Sequence, residues 1–159
     1  HHTNNTLQAF KNVLSKLDNE EATPLPICVF INSTDIIYSL MKQLDLLEES
    51  AVFCVPKSVD KLKKNRFCNV YEQWNKDKMK RYNFFTSRFF NAVDMELEEQ
   101  PHVIMLTDVY FAEHTMIDPY TDAIQIVGRF RNGVSSITYI SNTKKGCPVY
   151  TQFIYRSSL

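Results

Sequence analysis

The sequence predicts an α/β fold, a mainly parallel sheet with helices on both faces. Two observations carry this expectation. Continuously apolar runs of strand length recur along the chain, and the segments between them repeat apolar residues at helical spacing. Strands apolar throughout are buried on both faces, and their alternation with helices is the pattern of parallel strands joined by crossovers. A third observation sets the scale: at 159 residues, 44% of them hydrophobic, the chain makes one domain with a substantial core. Residues 1–25 read as a leading helix and linker, and 143–159 as an extra terminal strand.

The elements follow in order. Leu7, Phe10, Leu14 and Leu17 recur at helical spacing, and Pro24 and Pro26 end that helix. The run Ile27 to Ile31 is apolar throughout, a strand covered on both sides. Asn32 and Ser33 are cap candidates, and Asp35 suits the positive end of a second helix marked by Ile36, Ile37, Leu40, Met41, Leu44 and Leu47. Ala51 to Val55 reads as a strand, Val59 to Lys64 as helix, and Tyr82 to Thr86 and His102 to Leu106 as strands. Pro119 suits the first turn of a helix running toward Gly128. Ser136 to Ile140 and Val149 to Tyr155 close the chain as strands joined by a turn around Lys144-Lys145-Gly146. No internal repeat, low-complexity tract or interdomain linker interrupts this order.

Charge is balanced overall, with 18 basic and 18 acidic residues, which argues against wrapping nucleic acid by net charge alone. The balance conceals a division. Lys57, Lys61, Lys63, Lys64, Arg66, Lys76, Lys78, Lys80 and Arg81 crowd one segment, opposed only by Asp60, Glu72 and Asp77. From Phe89 to Gly128 there is then no lysine or arginine, whereas Asp94, Glu96, Glu98, Glu99, Asp108, Glu113, Asp118 and Asp122 fall in that interval. No apolar run approaches bilayer length and no signal peptide opens the chain, so the expectation is a cytoplasmic protein with no membrane partner. Cys28, Cys54, Cys68 and Cys147 have no C-x-x-C spacing and read as reduced thiols. His1 and His2 are set aside as candidate tag residues.

Ligands in such folds gather at the carboxyl ends of strands. The residues there are Asn32 and Ser33, Thr86 and Ser87, and Thr107 and Asp108, which either cap helices or bind phosphate oxygens. The acidic interval ends in Gln125-Ile126-Val127-Gly128-Arg129-Phe130-Arg131. An arginine beside a glycine at a helix end aims a planar guanidinium at a phosphate on another surface, or else is a solvated surface residue.

In that order the chain resembles the second RecA-like lobe of superfamily 2 DEAD/DEAH-type helicases and translocases, over about Pro26 to Asn142. Pro26 to Ser33, P-I-C-V-F-I-N-S, resembles motif IV. Phe84 to Met95, F-F-T-S-R-F-F-N-A-V-D-M, resembles motif V, with Ala92 where glycine is usual. Gln125 to Arg131, Q-I-V-G-R-F-R, resembles motif VI, whose second arginine commonly lies where this chain has Asn132, one residue after Arg131. The resemblance implies that Thr86, with Ser33, contacts a nucleic-acid backbone and that Asp94 and Gly128 lie at the nucleotide. It also implies that Gln125, Arg129 and Arg131 face the phosphates of ATP, Arg129 acting as an arginine finger. ATP and Mg2+ would be held mainly by an amino-terminal lobe of the same longer protein.

The chain's own glycines, Gly128, Gly133 and Gly146, build no G-x-x-x-x-G-K-[ST] phosphate loop, so this lobe alone is not expected to hydrolyse ATP. Val103 to Asp108 superficially resembles a strand ending in a magnesium ligand, but no glutamate follows, and Asp108 reads as a strand-end or cap residue. Two other classes compete. One is a stand-alone α/β interaction module whose basic segment around Lys57 to Arg81 binds DNA, RNA or an acidic protein; within that segment Lys63, Lys64 and Lys80 are candidate nucleic-acid contacts in the lobe reading as well. The other is a metal-dependent nuclease using Asp94, Asp108 and Glu113, for which no ligand spacing speaks. Tyr71, Trp74, Tyr82, Phe84 and Phe85 are either core residues or base-stacking platforms.

Overall fold

The computed structural model describes residues 2–20, 24–86, 89, 94–108, 119–142 and 150–156. Its strands form one seven-stranded sheet in the order β3-β2-β4-β1-β5-β6-β7. They are β1 (Ile27–Phe30), β2 (Ser50–Phe53), β3 (Val70–Tyr71), β4 (Tyr82–Phe85), β5 (His102–Asp108), β6 (Ser136–Asn142) and β7 (Tyr150–Arg156). All neighbours pair parallel except β6 and β7, so the sheet is mainly parallel and the terminal strand is its antiparallel edge. The expected turn around Lys144 to Gly146 lies outside the described residues, as does Cys147.

Helices α1 (His2–Glu20), α2 (Thr34–Gln43) and α3 (Pro56–Lys64) cover one face. There Phe10, Leu14 and Leu17 of α1, Ile37, Leu40 and Met41 of α2, and Val59 and Leu62 of α3 bury against Val29, Val52, Phe84, Ile104 and Ile140. Helix α4 (Pro119–Val127) covers the other with Ala123 and Ile126, against Phe30, Phe53, Phe85, Met105, Ile137 and Tyr139. The period of two within each strand sends alternate side chains to the two cores, which is why β1 shows no polar position.

Several element boundaries depart from expectation, some of them for local reasons. Helix α3 starts at Pro56 rather than Val59, because proline suits the first helical turn, and Val55 therefore becomes its cap instead of a strand residue. Strand β3 is only two residues long and sits at the sheet edge, too short to carry a period. Strand β5 continues beyond Leu106 because β6 pairs with it as far as Asp108.

Candidate functional site

Motif-like segments distant in sequence meet over the second face of the sheet. Met95 and Phe130 form an isolated parallel bridge: the Met95 amide donates to the Arg129 carbonyl, and the Arg131 amide to the Met95 carbonyl at 3.2 Å. Met95 and Phe130 are themselves buried, Phe130 lying edge-on to Phe30 with ring centroids 6.2 Å apart. Extended pairing alternates side chains, so Asp94, Glu96 and Arg131, which flank the buried pair, are all exposed. Arg131 Nη1 lies 2.8 Å from Glu96 Oε1, and Nη2 lies 3.8 Å from Asp94 Oδ2. Further along, Asn132 Nδ2 donates to the Leu97 carbonyl at 2.6 Å and Gln100 Nε2 to the Asn132 carbonyl at 2.9 Å. The two segments are thus stitched together as they run into β5 and β6.

Helix α4 ends at this seam. The Gly128 amide still bonds back to Ile124, and the Arg129 Nε donates to the Gln125 carbonyl at 3.3 Å. Gln125, Gly128, Arg129, Arg131 and Asp94 therefore form one local group, with the Gln125 side chain exposed on the helix. Gly133, with φ of +84°, makes the turn that sends the chain from this group toward β6. Glu96 belongs to the group as well. Its alternation with Met95 in M-E-L-E was the available signal, but alternation in a single short segment does not reveal which partner it faces.

Ser33 and Thr86 occupy a different place, beyond the carboxyl ends of the adjacent strands β1 and β4. Ser33 caps α2, its Oγ accepting from the Ile36 amide at 3.4 Å. Thr86 is buried, and its amide donates to the Phe53 carbonyl at 3.3 Å. Among the described residues the Thr86 hydroxyl has no hydrogen-bond partner. A buried unpaired hydroxyl costs about 1–3 kcal/mol relative to a paired one; the Thr138 hydroxyl and the Trp74 indole N–H are likewise without a partner among the described residues. The middle of the same motif-like segment, including Ser87, Arg88 and Ala92, lies outside the described residues.

Lys63, Lys64 and Lys80 are exposed, but they do not join Thr86. Lys63 and Lys64 end α3, which returns from the carboxyl end of β2 toward the start of parallel β3, and Lys80 precedes the start of β4. Lys80 Nζ also donates to the Glu48 carbonyl at 3.2 Å. The height of strand β4, about 13 Å for four residues, separates that edge from Thr86.

Among the aromatics near the basic segment, Tyr82, Phe84 and Phe85 are core, which removes them as base platforms. Phe53, Phe85 and Phe30 stack across three neighbouring strands at 5.0 and 4.9 Å. Tyr71 and Trp74 pack partly buried against the same core. Cys28 and Cys54 are buried and Cys68 is exposed; burial pushes the Cys28 thiol well up, which keeps it protonated and inert.

Among the described residues no group of three histidine, cysteine or acidic side chains is placed to hold a metal ion, and Glu113 of the nuclease reading lies outside them. No described helix is long and apolar enough to cross a membrane. A groove of about 440 Å3 beside α4 is lined by Gln100, Ala123, Ile124, Val127, Gly133, Val134 and Ile137. No protein-family model, curated protein or solved structure matches the chain.

Proposed function

We propose that this chain is the second, RecA-like motor lobe of an ATP-dependent nucleic-acid helicase or translocase. In this reading it completes an ATP site built mainly by an amino-terminal lobe. The observation that carries the reading is the Met95–Phe130 bridge, which sets Asp94 beside Arg131 and the end of α4. Two segments singled out separately for their likeness to nucleotide-facing motifs thereby become one surface. The mainly parallel sheet is the frame such a lobe requires, and Ser33 and Thr86 lie at its carboxyl edge, where the buried Thr86 hydroxyl would meet a nucleic-acid backbone only after a local rearrangement.

The chemistry asked of this surface is electrostatic. Charge develops on the phosphoryl oxygens during transfer, and a guanidinium delivered when two lobes close neutralises it where water has been excluded. Arg129, tethered through Nε to the Gln125 carbonyl at the end of a helix packed on the sheet, is held to a restricted arc. Asp94 is the group offered to the nucleotide, and Mg2+ falls to the partner lobe.

The test is ATP turnover by a longer protein that carries both lobes. Arg129→Ala should leave ATP binding nearly intact and lower turnover by on the order of a thousandfold, the scale of a lost arginine finger. Arg129→Lys should not restore it, because a point charge cannot reproduce the planar fork. Normal turnover in the alanine variant would remove the chemical basis of the proposal.

The second reading, an interaction module, is favoured by a separate observation: Lys57, Lys63, Lys64 and Arg66 are all exposed on and just after α3. It needs no nucleotide, and the turnover test is silent about it.

A further inference from the structure

We propose that Glu96 competes with phosphate for Arg131, so that the nucleotide-facing surface of this lobe carries its own displaceable counter-ion. The inference rests on the reading of this surface as phosphate-facing and adds a residue and a regulatory contact to it. Arg131 is held by two carboxylates from the partner segment, the closer being Glu96 at 2.8 Å and the farther Asp94 at 3.8 Å. The Met95–Phe130 bridge fixes the backbone on both sides of these pairs and so keeps the carboxylates within reach of the guanidinium. All three side chains are more than half exposed, at 59, 59 and 66% for Arg131, Asp94 and Glu96. Exposed ion pairs of this kind are weak and exchangeable, worth at most about a fivefold shift in an equilibrium. A multiply charged phosphate presents more acceptor oxygens than one carboxylate and can displace it from a guanidinium fork.

The probe is inorganic tripolyphosphate, titrated into this chain by calorimetry at fixed ionic strength. Glu96→Gln should tighten Arg131-dependent binding by about threefold, within the range of an exposed pair. Glu98→Gln removes a like charge two residues along, outside the Arg131 ion pairs, and controls for unspecific repulsion; it should change the affinity less than Glu96→Gln does. In an Arg131→Ala background the Glu96→Gln gain should vanish, since the cycle isolates the pair.

The proposal is overturned if Glu96→Gln behaves as Glu98→Gln does, if the gain survives in Arg131→Ala, or if Glu96→Gln shows no Arg131-dependent binding. Any of these leaves the Arg129 turnover test untouched. Conversely, normal turnover of Arg129→Ala would sink the motor-lobe reading without altering the measured competition at Arg131.

Discussion

A methyl group added at Gly128 would meet the Gln125 and Ile124 carbonyl oxygens at 3.4 and 3.5 Å, ordinary contact distances, and the backbone there is not left-handed. No contact among the described residues therefore demands glycine at this position, in contrast to Gly133 with its positive φ. A glycine whose φ is not positive can be replaced by alanine with a gain of about 0.4–1 kcal/mol, because the unfolded chain loses freedom. If glycine here admits a phosphate or the facing lobe to close approach, Gly128→Ala should raise the stability of the isolated chain by about 0.5 kcal/mol. The same change should lower turnover of the two-lobe protein by up to about a hundredfold through misplacement of Arg129. Thermal unfolding and steady-state turnover read the two effects separately. Stabilisation with unchanged turnover would show that the glycine has no role at the nucleotide.

At the level of elements, α2 and α3 end alike. After α2 the Asp45 amide bonds to the Lys42 carbonyl and the Leu46 amide to Met41; after α3 the Arg66 amide bonds to Lys63 and the Phe67 amide to Leu62. Asp45 and Arg66 have φ of 57° and 67°, and each closure buries an apolar pair, Leu46 with Met41 and Phe67 with Leu62. These are Schellman closures with a non-glycine residue in the left-handed position. Arg66→Gly should therefore raise the unfolding free energy by on the order of 0.5 kcal/mol, and a lower melting temperature would contradict the account. The sequence concealed both closures because neither carries the glycine that normally marks one. It displayed the central strands as apolar runs, α1 and the body of α2 by their apolar period, and the start of α4 through Pro119. The site was half legible for the same kind of reason. Gln125, Gly128 and Arg129 stand together in the chain, whereas the approach of Asp94 and Glu96 to Arg131 depends on a bridge across 35 residues that no local pattern records.

At the scale of the whole molecule, the groups suggested for nucleic acid divide between two edges of the sheet, and that division decides between the motor lobe and the interaction module. Thr86 and Ser33 lie at the carboxyl edge, Lys63, Lys64 and Lys80 toward the other, about 13 Å away by the height of β4. A strand lying across the carboxyl edge meets the first pair and passes the lysines by. Thr86→Val tests that track, because it removes a buried hydroxyl without a hydrogen-bond partner among the described residues and keeps the volume. Stability should hold or rise by about 1 kcal/mol, while affinity for a single-stranded oligonucleotide should fall about tenfold, the loss of one bond to a charged phosphate. Each lysine–phosphate contact would contribute roughly 0.7 to the slope of log affinity against log salt for a single strand. Replacing Lys63, Lys64 and Lys80 by alanine should leave that slope nearly unchanged if the carboxyl edge is the track. The opposite pair of results, a slope reduced by about two units with Thr86→Val binding normally, would move the contact to the basic surface. In that case the chain binds nucleic acid as a charged module, and the carboxyl edge has no part in it.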